Sequence, residues 1–213
     1  SLQFITVEEA DKAAGSGLNV SSGDKISLQD AVANLLIPSS NITANAVART
    51  YGQMLLEREG NSDGDPLVRF VAEMEAKSAQ LAMLDTRFKN PSGLPARGQV
   101  TTAADISLLM ATAMRYEHIA NVWTKPSHLM DVGGPNPRTV EIVSSVKVVD
   151  DYDLRGAKTG TLLPRLYNVA VLSEAPNDNH IITVVLGAAN EVSLYGDLRR
   201  IVDAVKRGHK WSA

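Results

Sequence analysis

The sequence changes texture once, and that change limits the folds open to it. Up to about residue 133, apolar residues recur at helical spacing. Beyond Gly133-Gly134 and Pro135, the stretches 139–149, 166–173 and 180–188 are β-branched and alternating or continuously apolar. A helical part followed by strands that turn back on themselves predicts an α+β chain: a helical subdomain plus an antiparallel sheet with flanking helices.

The helix boundaries are written in capping chemistry. Ser27 and Asp30 make a capping-box signature ahead of Leu28, Ala31, Val32, Leu35 and Leu36, and Pro38 forbids continuation. A second helix runs from about Asn41 toward Glu59, carrying Ile42, Ala46, Tyr51, Met54 and Leu55, with Gly60 as its stop. Asp65-Pro66 opens a third, whose Leu67, Phe70, Val71, Met74, Ala76 and Leu81 are expected to point inward. The Gly- and Pro-rich stretch 89–100 reads as a loop, and Thr102 with Asp105 caps a helix through Met114. Pro176 to Asn179 reads as a hairpin turn, and 193–206 as an amphipathic helix able to cover one sheet face.

With 213 residues, 44% hydrophobic and 21% charged, residues 1–213 have the size and balance of one domain with a real core. A formal net charge of −3 and scattered Lys and Arg offer no basic stripe, which argues against nucleic acid as a partner. There is no cysteine, so disulfides, thiolate metal sites and a cysteine nucleophile are excluded by count. His118, His128, His180 and His209 are isolated, without the spacing of a zinc site, and no metal or cofactor is implied. The longest apolar stretch, 181–189, is too short to span a bilayer, and no leader pattern opens the chain. Ser1 stands where Met would begin a reading frame, so Ser1-Leu2 reads as a processed or cloned start.

Two short motifs carry chemistry: Ser39-Ser40-Asn41 at a helix junction, and Lys158-Thr159-Gly160-Thr161, expected just before a strand. Each has an ordinary structural explanation, since Ser and Asn after a proline are good N-caps and Lys-Thr-Gly often makes an exposed turn. Their order and context say more. Leu35-Leu36-Ile37-Pro38 runs into the first motif, and Ser22-Gly23-Asp24-Lys25 precedes it. Phe88-Lys89-Asn90-Pro91-Ser92-Gly93-Leu94 leads to Thr101-Thr102-Ala103-Ala104-Asp105, and Val184-Val185-Leu186-Gly187-Ala188 precedes the last helix. In these features, from about Val7 to the last helix, the sequence resembles the serine-type D-alanyl-D-alanine carboxypeptidases, the low-molecular-mass penicillin-binding proteins of the β-lactamase/transpeptidase-like family.

The resemblance implies a fold and a set of roles. Ser39 would relay a proton, and Asn41 would hold the substrate peptide's carbonyl. Lys158 would supply a fixed positive charge for the anionic transition state and the terminal carboxylate. Thr159 and Thr161 would bind that carboxylate, the Thr161 N–H forming one arm of an oxyanion hole, while Gly160 would let the substrate backbone approach the strand edge. The implied substrate is the peptidoglycan pentapeptide stem, the implied inhibitors are β-lactams, and the implied location is periplasmic or otherwise extracytoplasmic.

The departures shape further expectations. The family's acylated Ser, in a Ser-x-x-Lys on a buried helix, lies well upstream of Ser-x-Asn, and only 38 residues precede Ser39. The nucleophile, its helix and the N-terminal strands are therefore expected before residue 1. Ser22 to Lys25 and Ser144 to Lys147 also spell Ser-x-x-Lys, but one sits in a Gly/Asp turn and the other is expected in a strand, whereas the pair meets only on a helix. The family's Asn-rich segment ahead of Lys-Thr-Gly is unrecognisable in 148–154. An apolar groove bordered by Ser39 and Lys158 is expected, open or filled by an upstream fragment or a second chain. Two alternatives remain: a noncatalytic peptidoglycan-binding pseudoenzyme, and a serine β-lactamase, the latter disfavoured because the 89–100 loop has no carboxylate.

Overall fold

The computed structural model describes residues 4–123, 125–147, 154–162, 166–174 and 179–208. Two antiparallel sheets organise the chain. The first orders β1 (Phe4–Thr6), β2 (Lys25–Ser27), β3 (Ser127–Gly133) and β4 (Arg138–Val143) side by side. The second orders β5 (Leu154–Leu162), β6 (Leu166–Glu174) and β7 (His180–Ala188). Between the strands run α1 (Leu28–Leu36), α2 (Asn41–Glu59), α3 (Pro66–Gln80), α4 (Ala103–Ala113) and α5 (Glu117–Trp123), and α6 (Glu191–Lys206) closes the order. The α+β architecture expected from the sequence is the one observed.

The predicted caps form, each with a definite partner. Ser27 Oγ accepts from the Asp30 N–H, Ser40 Oγ from Thr43, and Asp65 from Leu67 and Val68, while Gly60 ends α2 in the left-handed conformation. Thr102 caps α4, but the Asp105 side chain does not close the box. It turns away to accept from the Asp85 N–H at 3.0 Å and the Thr86 hydroxyl at 2.7 Å, fixing the start of the 86–100 loop.

Three clusters make the core. Ile5, Ile26, Met130 and Ile142 of the first sheet pack against Ala31, Ile37, Ile42 and Ala46 of α1 and α2 and their junction, with Val122 of α5. The second sheet is covered on both faces, as the alternation along β6 requires. Val169 and Val171 meet Leu194, Leu198 and Val202 of α6, while Ala170 and Leu172 meet Met110 of α4 and Trp123. The terminal helix thus covers one sheet face as expected.

Several expectations fail locally. Lys158 to Gly160 lie inside β5 rather than ahead of a strand, paired with Ala170, Val169 and Asn168. Ser144 to Lys147 follow β4 in a loop, not a strand, because the Ser144 and Ser145 N–H groups leave the ladder for Pro126 O and Ile37 O. In α3, Ala76 is exposed and only Ser78 is fully buried, so that helix lies over α2 rather than sinking into a core. The turn expected at 176–179 lies outside the described residues, apart from Asn179.

Candidate active site

The Ser39–Asn41 junction is held by the chain around it. Pro38 ends α1, and Ser39 takes a left-handed backbone (φ 63), a conformation costing a non-glycine residue about 1 kcal/mol that neighbouring contacts must offset. Those contacts come from α1 and from the 14–17 loop. The Ser40 N–H donates to Asn34 O at 2.9 Å and the Asn41 N–H to Ser16 O at 3.1 Å. The Ser40 hydroxyl donates to Gly17 O and the Asn41 Nδ2 to Ala14 O, each at 2.8 Å. Gly17 is required here: a Cβ would lie 2.3 Å from the Ser40 Cα, and its φ is +70.

These bonds leave the Ser39 side chain free to face β5. The Lys158 Nζ donates to the Ser39 Oγ at 2.6 Å, across 119 residues of sequence, and to Thr159 O at 2.8 Å. Burial brings the Lys158 ammonium down from 10.5 to about 8, so it stays mainly charged at neutral pH while holding its proton less tightly than a surface lysine. The Thr159 hydroxyl shares a 2.6 Å hydrogen bond with Ser145 Oγ. Asn168 of β6 donates from Nδ2 to Gly160 O at 2.9 Å and accepts from the Gly187 N–H at 2.8 Å, tying the three strands together beside the motif.

Ser39, Asn41, Lys158, Thr159, Gly160 and Thr161 all line one cavity of about 370 Å³. The expected apolar groove is instead a mixed cleft, because hydroxyls and amides of Ser16, Ser92, Ser145 and Asn168 share the wall. Gly160 is exposed, with no non-neighbouring atom closer than 3.9 Å to where a Cβ would sit, so the strand is open on that side. Asn41 uses one N–H of its amide on Ala14 O, which leaves the second N–H and the carbonyl oxygen for other partners. Glu191 at the mouth pairs with Lys147 at 2.7 Å. Sequence reasoning missed Ser16, Ser145, Asn168 and Glu191. The first two arrive on loops and carry no periodic signal. Of the two stray Ser-x-x-Lys matches, Ser22 lies in an exposed turn, and neither Ser22 nor Ser144 lines the cavity.

A helical part joined to an antiparallel sheet, with a left-handed serine at a helix junction bonded to a strand lysine between them, has the penicillin-binding/transpeptidase class of fold. Solved structures share the fold: a mutant of the Streptomyces K15 DD-transpeptidase superposes with a TM-score of 0.84 at 19% identity, over 96% of this chain and 80% of that one. The family model for D-alanyl-D-alanine carboxypeptidases, Peptidase_S11, matches residues 4–190, and the chain belongs to that family. Among curated relatives, the D-alanyl-D-alanine carboxypeptidase DacF of Bacillus subtilis is 23% identical over 200 residues, 93% of this chain and 47% of the relative. The D-alanyl-D-alanine endopeptidase of Haemophilus influenzae is 25% identical over 183 residues, 85% of this chain and 57% of the relative. The chain thus spans about half the length of these relatives. Among the described residues no helix is long and apolar enough to cross a membrane.

Proposed function

We propose that the cleft receives the D-alanyl-D-alanine end of a peptidoglycan stem peptide and serves serine acyl transfer, with loss of the terminal D-alanine and hydrolysis of the acyl-enzyme by water. The 2.6 Å contact between Lys158 and Ser39 carries this reading, because it joins the two motifs in the arrangement that a proton relay beside a fixed cation needs. Ser39 can accept from Lys158 and donate onward at once, which is what a relay demands. Lys158, with the Thr159 and Thr161 hydroxyls, offers a terminal carboxylate one charge and two donors. The exposed edge at Gly160 admits an extended peptide, and the Thr161 N–H serves the oxyanion. β-Lactams would enter the same cleft as inhibitors, and the work would be done outside the cytoplasm, where the stem peptides are.

The acylated serine is proposed to come from a segment upstream of residue 1. Among the described residues β7 has a strand neighbour on one side only, and Val184, Val185 and Leu186 with Ile201 of α6 line an open cavity of about 500 Å³ along it. Asp197 and Arg200 of α6 share that cavity's wall; an unpaired strand edge is costly to leave bare, and added strands of the same protein would cover it. Intact-mass analysis after incubation with a penicillin tests the assignment. The complete reading frame is expected to gain one adduct on a serine outside residues 1–213, and the 213-residue chain alone none. An adduct on Ser39, Ser22 or Ser144 overturns the assigned roles, and an unreactive complete protein shifts the reading to noncatalytic peptidoglycan binding.

A further inference from the structure

A second depression lies next to the catalytic cleft on its helical side. It encloses about 660 Å³ between α2, α3 and the 88–94 loop, with a floor of half-buried apolar side chains that includes Leu67, Val71, Phe88 and Leu94. Ser92 and Leu94 line both this depression and the cleft that holds Ser39 and Lys158. The two are therefore adjoining compartments that share one wall.

That wall is built rather than loose. Asn90 donates from Nδ2 to Leu94 O at 2.8 Å and accepts the Gly93 N–H at 2.8 Å, and Gln99 reaches Leu94 O from its Nε2 at 3.0 Å. Glu75 of α3 accepts from the Phe88 N–H, which fastens the loop to the helix across the floor and occupies the groove's only carboxylate among the described residues. On the opposite rim Asn45 is tied to Asp11 O at 3.2 Å. Of the two rim lysines, Lys12 pairs with Glu9, whereas no acidic group is bonded to the exposed Lys89 ammonium among the described residues. The groove thus presents an aliphatic floor and one unpaired cation, a surface that favours an aliphatic stem ending in or flanked by a carboxylate.

We propose that this groove is a subsite for the part of the peptide that precedes the reacting D-alanyl residue, an extended segment with an aliphatic side chain on Leu67, Val71 and Leu94 and a carboxylate at Lys89. This rests on the reading of the adjoining cleft as the D-alanyl-D-alanine site. With the terminal carboxylate at Thr159 and Thr161 on the sheet side, the chain ahead of the reacting bond leaves across the opposite wall, where Ser92 and Leu94 stand at the junction. Remote contacts of this sort select among stems that end alike, because they add binding where the terminal dipeptides do not differ.

Isothermal titration of the protein with N-acetyl-D-Ala-D-Ala and with the pentapeptide acetyl-Ala-Glu-Leu-D-Ala-D-Ala tests it. The pentapeptide is expected to bind about tenfold more tightly, the scale of burying one aliphatic side chain and placing one charge. Val71→Asp should erase that advantage and Lys89→Glu reduce it at least threefold, both leaving dipeptide affinity unchanged. Lys89 is exposed at the rim, so its substitution reports on the groove even if Val71→Asp unfolds the helix pair. Equal affinity of the wild-type protein for the two peptides, or an advantage untouched by Lys89→Glu, overturns the subsite while leaving the cleft assignment standing. Failure of both peptides to bind overturns the cleft assignment and the subsite with it.

Discussion

Replacing Lys158 by Met is expected to stabilise the fold while disabling the site. The lysine is half-buried at the cleft, and burial lowers its ammonium to about 8. A depression of that size from the ordinary 10.5 corresponds to roughly 3 kcal/mol of unfavourable desolvation at neutral pH. Residual solvent contact screens part of it, and Met forfeits the donors to Ser39 Oγ and Thr159 O, hydrogen bonds whose net worth is about 1 kcal/mol each. The balance leaves Lys158→Met more stable by about 1 kcal/mol, a rise in Tm of roughly 2–4 °C for a chain of this size. The pH dependence carries the sharper signature. Between about 8 and 10.5 the unfolded chain holds the Lys158 proton and the folded chain releases it, so wild-type stability rises with pH relative to the variant across that window. The variant's advantage is full below pH 8, is lost inside that window, and reverses to roughly 2 kcal/mol in favour of wild type by about 10.5. Paired urea titrations at pH 7, 9 and 10.5 measure it. A variant less stable than wild type at pH 7, or a gap independent of pH, refutes the reasoning.

Two further substitutions probe how the site is held. Gly17→Ala places a Cβ against the Ser40 backbone at a positive φ, and should cost about 2–4 kcal/mol in urea unfolding and loosen the Ser39 junction; wild-type stability would show that the 14–17 loop does not set that junction. Asp105→Ala removes the buried acceptor of the Asp85 N–H and the Thr86 hydroxyl; the hydroxyl can turn to Thr101 Oγ at 2.9 Å but the Asp85 N–H is left uncompensated, and the change should cost about 1–3 kcal/mol by the same measurement; a change within about 0.5 kcal/mol would mean that water replaces it.

Much of the fold was legible because local rules and tertiary structure agree. Ser27, Ser40, Asp65 and Gly60 are caps in sequence and in space. Of the first sheet only β4 was legible, within the stretch 139–149; the others were hidden, since β2 is only Lys25-Ile26-Ser27, with one fully buried residue, and in β3 the exposed Leu129 breaks the alternation set by Met130 and Val132. Seven residues are too few for α5 to show a helical period. At the site, Ser39 and Lys158 could be named from their motifs, but nothing local says that 119 residues of chain bring them together. Ser16 and Ser145 escaped notice for the same reason, since each reaches the wall through backbone bonds to distant partners, the Asn41 N–H and Ile37 O.

The central claim is that Lys158 and Ser39 form the working part of a serine D-alanyl-D-alanine peptidase site, and the acylation rate tests it most directly. In the protein encoded by the complete reading frame, Lys158→Ala is expected to slow acylation by a fluorescent penicillin at least about tenfold, the scale of losing a charged transition-state contact. Acylation at the wild-type rate in a folded Lys158→Ala protein would contradict the account.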